Sequence, residues 1–113
     1  MYKKIKESSD FIKKSIENQT IHSAIILGSG MGGFEERFEN IYSFDYSEVP
    51  NFIKPSVQGH SGNLSIVKFG DKLTAILSGR AHYYEGYDIK DIVLPTRVLA
   101  DLGIKTLVLT NAA

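Results

Sequence analysis

Three times in this chain a short apolar run passes straight into small or polar residues. Residues 21–27 (Ile21-His22-Ser23-Ala24-Ile25-Ile26-Leu27) lead into Gly28-Ser29-Gly30-Met31-Gly32-Gly33. Leu73-Thr74-Ala75-Ile76-Leu77-Ser78 leads into Gly79-Arg80-Ala81-His82-Tyr83-Tyr84-Glu85-Gly86-Tyr87, and Lys105-Thr106-Leu107-Val108-Leu109 into Thr110-Asn111-Ala112-Ala113. Runs this short, apolar and rich in β-branched residues read as buried strands. They are far too short to span a membrane as helices. Strands of one sheet gather their ends, and α/β proteins place ligands at the carboxyl ends. The pattern therefore fixes both a fold class and the edge on which to look for chemistry.

The segments between fit the same plan. Over residues 2–17, Tyr2, Ile5, Ile12 and Ile16, with Phe11 and Ser9 beside them, recur at helical spacing with lysines and glutamates opposite. Asn18-Gln19-Thr20 ends that helix. Residues 34–40 predict a short helix with Glu35 and Glu36 in its first turn, and 41–46 a strand ended by Val49-Pro50. Residues 51–62, aperiodic and holding Pro55, Gly59 and Gly62, predict a loop that carries His60. Strands over 64–69 and 73–77 joined by Gly70-Asp71-Lys72 make a hairpin, with 66–69 half exposed. Ile92, Val93, Leu94, Val98, Leu99 and Leu102 form a helical stripe, with Pro95 in the first turn and Gly103 as the stop. Helices alternating with buried strands give a layered α/β domain. The hairpin makes its β-sheet mixed rather than wholly parallel.

A chain of 113 residues is at most one ordinary domain. Its 13 basic and 13 acidic residues cancel, so no long-range field draws it to nucleic acid or to an acidic membrane. Cysteine is absent, which removes any disulfide framework. Glu7-Ser8-Ser9-Asp10 follows the basic N-terminus where a secretory signal would be apolar. A soluble cytoplasmic protein is expected.

The chemistry gathers at the strand ends. Arg80 can fork onto two oxygens of a phosphate or carboxylate, and in an extended chain His82 points to the same side. The bland reading of this block is a solvated turn whose aromatics pack on neighbours. Gly28, Gly30 and Gly33 satisfy the G-x-G-x-x-G spacing, and Glu48 lies 20 residues beyond Gly28, where a dinucleotide fold carries a ribose-binding acid. Against that, residues 34–40 are short for a crossover helix. A simpler reading has the glycine turn curl its amides, with the Ser29 hydroxyl, around an anion. A tight turn without a ligand is the third. His22, far from the turn, reads as structural. Ser29, Arg80 with His82, and the Ala112 amide would converge if their strands are neighbours, and that convergence points to a phosphate.

Gly28-Ser29-Gly30-Met31-Gly32, Gly59-His60-Ser61-Gly62, Gly79-Arg80-Ala81-His82-Tyr83-Tyr84-Glu85-Gly86-Tyr87 and Thr110-Asn111-Ala112-Ala113 occur in this order. Together they resemble the N-terminal motifs of the trimeric, inosine- and guanosine-preferring purine nucleoside phosphorylases. The resemblance implies a nucleoside phosphorylase-like arrangement of αβα layers. It implies phosphorolysis of purine nucleosides to free base and ribose 1-phosphate, in nucleoside salvage. Ser29, Arg80, His82 and the Ala112 amide would then hold phosphate, Tyr84 would lie against the ribose, and His60 would reach its 5′-hydroxyl. Glu85 would order the phosphate site, and with His82 it is the expected catalytic pair. Inorganic phosphate would be a co-substrate, with no metal or organic cofactor, and the assembly a homotrimer.

Family members are considerably longer, and the residues that grip their purine lie beyond the position matching Ala113. The chain is thus expected to be the N-terminal portion of one phosphorylase domain, holding an incomplete site. A sheet cut after Leu109 would leave an edge and an apolar face uncovered, so association with a partner is expected. Two other functions fit the residues: a non-catalytic phosphate- or nucleoside-binding module, and a dinucleotide-binding domain. Methylthioadenosine phosphorylase is a near relative of the same reading, and Tyr84-Glu85-Gly86-Tyr87 favours the purine nucleoside branch.

Overall fold

The computed structural model describes residues 2–27, 33–53, 62–78 and 89–110. Helix α1, Tyr2–Ser15, buries Ile5, Ser8, Ser9 and Ile12 along one stripe and exposes most of its lysines. It ends two residues earlier than the sequence predicts, because Glu17 and Asn18 both turn left-handed at φ 59°. Their amides cap the last turn on the carbonyls of Lys14 at 3.3 Å and Lys13 at 2.8 Å.

Among the described residues five strands form one sheet: β1 Ile21–Ile26, β2 Glu39–Asp45, β3 Asn63–Phe69, β4 Lys72–Ser78 and β5 Thr106–Leu109. Their spatial order is β2-β3-β4-β1-β5. β1 runs parallel to both β4 and β5, whereas β3 is antiparallel to β4 and to β2. The mixed α/β sheet expected from the alternation and the hairpin is present. Gly70 at φ +66° begins the two-residue turn between β3 and β4. That is the left-handed backbone such hairpins need.

Both long helices lie on one face. Ile5, Ile12 and Ile16, with Leu94, Val98 and Leu99 of helix α2 (Ile89–Asp101), pack onto Ala24, Ile26, Phe44, Leu64, Ile66, Ala75 and Leu77. The opposite face has a smaller cluster, Leu27, Val67 and Ile76, covered by Phe34 and Phe38. Among the described residues, no helix is long and apolar enough to cross a membrane.

Four expectations need correction. Pro95 is not in the first turn of α2, because the helix begins at Ile89 and so encloses the proline. It costs the helix one hydrogen bond, to the carbonyl four residues back. The stop at Gly103 (φ +87°) does hold: its amide bonds to Ala100 O at 3.0 Å and that of Ile104 to Leu99 O at 3.3 Å. Residues 34–40 do not make an α-helix. A 3-10 helix, Phe34–Arg37, is closed by the Asn40 amide on the carbonyls of Glu35 and Phe38 (2.9 and 3.0 Å), and β2 begins at Glu39. Residues 66–69 are not uniformly half exposed, since Ile66 and Val67 are buried and only Lys68 and Phe69 emerge. Among the described residues β5 pairs with β1 alone and is not buried, with Leu109 58% exposed.

Candidate active site

The registers bring the predicted strand ends together. Ile26 of β1 stands beside Leu77 of β4 on one flank and Leu109 of β5 on the other. Just past the ladder, Leu27 N donates to Leu77 O at 2.9 Å, and Thr110 donates to Ile26 O through its amide at 3.0 Å and its hydroxyl at 3.2 Å. At the same edge Ser78 pairs with Asn63, the first residue of β3, and Asn63 with Asp45, the last of β2. Neighbouring strands lie about 4.8 Å apart, so the outlets of β5, β1 and β4 fit within roughly 10 Å. One phosphate bearing a pentose is of that size.

Ser29, His60, Arg80, His82, Tyr84, Glu85 and Ala112 all lie outside the described residues. In sequence, Ser29, Arg80 and Ala112 come two residues after Leu27, Ser78 and Thr110, and His60 two before Gly62.

The described residues around this edge are built to hold the segments that leave it. Tyr46, wholly buried, donates its amide to Gly62 O at 3.0 Å and stacks edge-on against Phe52, with ring centroids 5.3 Å apart. A Cβ on Gly62 would sit 2.1 Å from Tyr46 Cδ2, so only glycine lets the chain pass the ring. The segment carrying His60 thus has both feet, Phe52 and Gly62, on one tyrosine. Burial pushes the Tyr46 phenol well above its ordinary range, so it stays neutral. On the opposite face Ser78 Oγ donates to Glu35 Oε2 at 2.9 Å. Sequence reading gave Glu35 only a helical first turn and Tyr46 only a strand end. Both act through partners 43 and 16 positions away, which no local pattern reports.

The dinucleotide reading does not survive this geometry. The strand following the glycine turn is β2, three places from β1, instead of a parallel neighbour joined by a long helix. Glu48 Oε1 accepts from Asp45 N at 2.8 Å, as half of a capping box on the 3-10 helix Tyr46–Glu48. His22 is exposed near the start of β1, away from the carboxyl edge.

Residues 23–113 match the family model described as the phosphorylase superfamily, and the chain belongs to that superfamily. Within it, the chain is 43% identical over 90 residues to purine nucleoside phosphorylase of Mus musculus, covering 80% of this chain and 31% of the mouse protein. The structure of isoform 2 of purine nucleoside phosphorylase from Schistosoma mansoni, in complex with cytosine and ribose-1-phosphate, superposes with a TM-score of 0.86 at 38% identity. It covers 99% of this chain and 39% of that one. The Schistosoma mansoni enzyme in complex with inosine gives 0.82 at 35% identity, covering 98% and 38%. The chain therefore spans well under half the length of these relatives.

Proposed function

We propose that this chain supplies the phosphate and ribose side of a purine nucleoside phosphorylase site. The observation that supports the reading is the meeting of the β1, β4 and β5 carboxyl ends, from which the sequence runs on to Ser29, Arg80 and Ala112. In this reading Ser29, Arg80, His82 and the Ala112 amide hold phosphate beneath the sugar. Tyr84 packs on the ribose, His60 takes its 5′-hydroxyl, and Glu85 orders the anion site. A phosphate oxygen bonds to C1′ as the C1′–N bond breaks, and the departing electron pair leaves on the purine, which takes up a proton. Positive charge builds on the ribose during cleavage, and an anion already fixed beneath it stabilises that charge. Held in line, phosphate also avoids the entropy cost of a chance encounter. The chemistry asks for no metal or organic cofactor. A homotrimer working in the cytoplasm, on inosine or guanosine, completes the proposal.

The test is calorimetric titration of the chain with inorganic phosphate, followed by absorbance assay of inosine with and without phosphate. Saturable phosphate binding that is lost in Arg80→Ala supports the reading, and indifference to phosphate overturns it. Phosphate-dependent hypoxanthine release would show that these residues suffice for turnover. Binding without release would leave the phosphate and ribose half alone.

A further inference from the structure

A carboxylate beside the outlet of β4 has a task that the phosphate reading alone does not assign. Gly33, at φ +88°, brings the chain out of the glycine turn into the 3-10 helix Phe34–Arg37. Phe34 and Phe38 meet edge-on, with centroids 5.4 Å apart, and pack on the Leu27, Val67 and Ile76 cluster. That docking sets Glu35 over the end of β4, where its Oε2 accepts from Ser78 Oγ at 2.9 Å. Ser78 is itself buried and held in the ladder against Asn63. A hydroxyl on an ionised carboxylate is among the stronger hydrogen bonds. This one joins the last residue before Gly79-Arg80 to the second residue after the glycine turn.

Resting on the proposed function, we propose that Glu35 is a positioning residue: through Ser78 it clasps the 3-10 helix Phe34–Arg37, which follows the glycine turn in sequence, to the end of β4. β1 and β4, which lead in sequence to Ser29 and Arg80, share a ladder as far as Ile26 and Leu77. Two groups that must grip one anion have to be set relative to each other within about half an ångström. The clasp adds a side-chain tie between Phe34–Arg37 and the last residue of β4. The role needs an acceptor on Glu35, which a neutral side-chain amide also offers.

The experiment is a double-mutant cycle in the affinity of the chain for inorganic phosphate, measured by calorimetry. Glu35→Ala and Ser78→Ala are each expected to weaken phosphate by about 5- to 10-fold, and the double variant no further, because they break one bond. Glu35→Gln keeps an acceptor for the Ser78 hydroxyl and is expected to bind within about 2-fold of the parent. Structural roles exercised separately would add in the double variant, which overturns the clasp, as does unchanged affinity in both alanine variants. A parent chain indifferent to phosphate would instead overturn the phosphate reading, and the clasp with it.

Discussion

The two faces of the sheet come from alternate residues of the same strands and receive unequal cover. On one, Ile66 and Ala75 lie beneath α1 and α2 and are wholly buried. On the other, Val67 and Ile76 are buried under the rings of Phe34 and Phe38, while Phe69 remains 64% exposed. Strand sequence decides which residues point each way. What crosses the face decides how much of it is dry: among the described residues, helices of 14 and 13 residues on one side and a 3-10 helix of 4 on the other. The helix side has the larger buried cluster, and the thin side carries the Glu35 contact to the end of β4.

The sharpest way to break this contrast is to truncate one residue on each face of β3. Ile66→Ala leaves a cavity under two helices and is expected to cost about 3–4 kcal/mol in urea unfolding. Phe69→Ala, touching Phe38 at 5.6 Å but largely wet, is expected to cost under about 1 kcal/mol. Comparable losses at the two positions would show that the faces contribute alike.

A second pair probes the seam between core and functional edge. Gly62→Ala drives a methyl into the Tyr46 ring and is expected to cost about 2–3 kcal/mol, since ring and backbone must both give way. Gly70→Ala meets nothing within 4 Å and bears only its left-handed backbone, about 1 kcal/mol. If the two unfold at the same urea concentration, the ring does not confine the chain at Gly62, and its hold on the His60 segment fails too.

These sites also mark what the sequence made legible. Apolar runs with β-branched residues announce strands wherever they sit, so β1, β3 and β4 were readable, and the sequence after the parallel strands β1 and β4 turns to glycine. The same signal located β5 but gave it a burial it lacks, because Leu107-Val108-Leu109 reports apolarity and not neighbours. Pro95 was misplaced because a helix can begin earlier than its apolar stripe when the first turn is solvated. The 3-10 helix at Phe34 was missed because its cover comes from two rings docking on the sheet, a tertiary cause. Of the candidate site, the strand outlets are placed, whereas Ser29, His60, Arg80, His82, Tyr84, Glu85 and Ala112 fall outside the described residues.

The smallest expected effect lies at the rim where the two helices of the covered face meet. Lys6 Nζ stands 3.4 Å from Asp101 Oδ2 between α1 and α2. The Ser9 hydroxyl, though outside ordinary hydrogen-bond geometry, favours the charged carboxylate as a nearby dipole. With the Lys6 ammonium it holds Asp101 below its usual 3.8 despite partial desolvation. A carboxyl whose folded value is depressed stabilises the fold above its unfolded value, and that contribution is lost as pH falls through the folded one. Lys6, raised above 10.5 chiefly by Asp101, contributes fully below that value and loses its contribution as pH climbs through the folded one. Asp101→Asn should therefore lower Tm by about one degree between pH 5 and 9, with the gap closing below pH 3 and above pH 11. A gap that persists at pH 2 would mean the asparagine disturbs packing between α1 and α2, and that this rim belongs to the dry face after all.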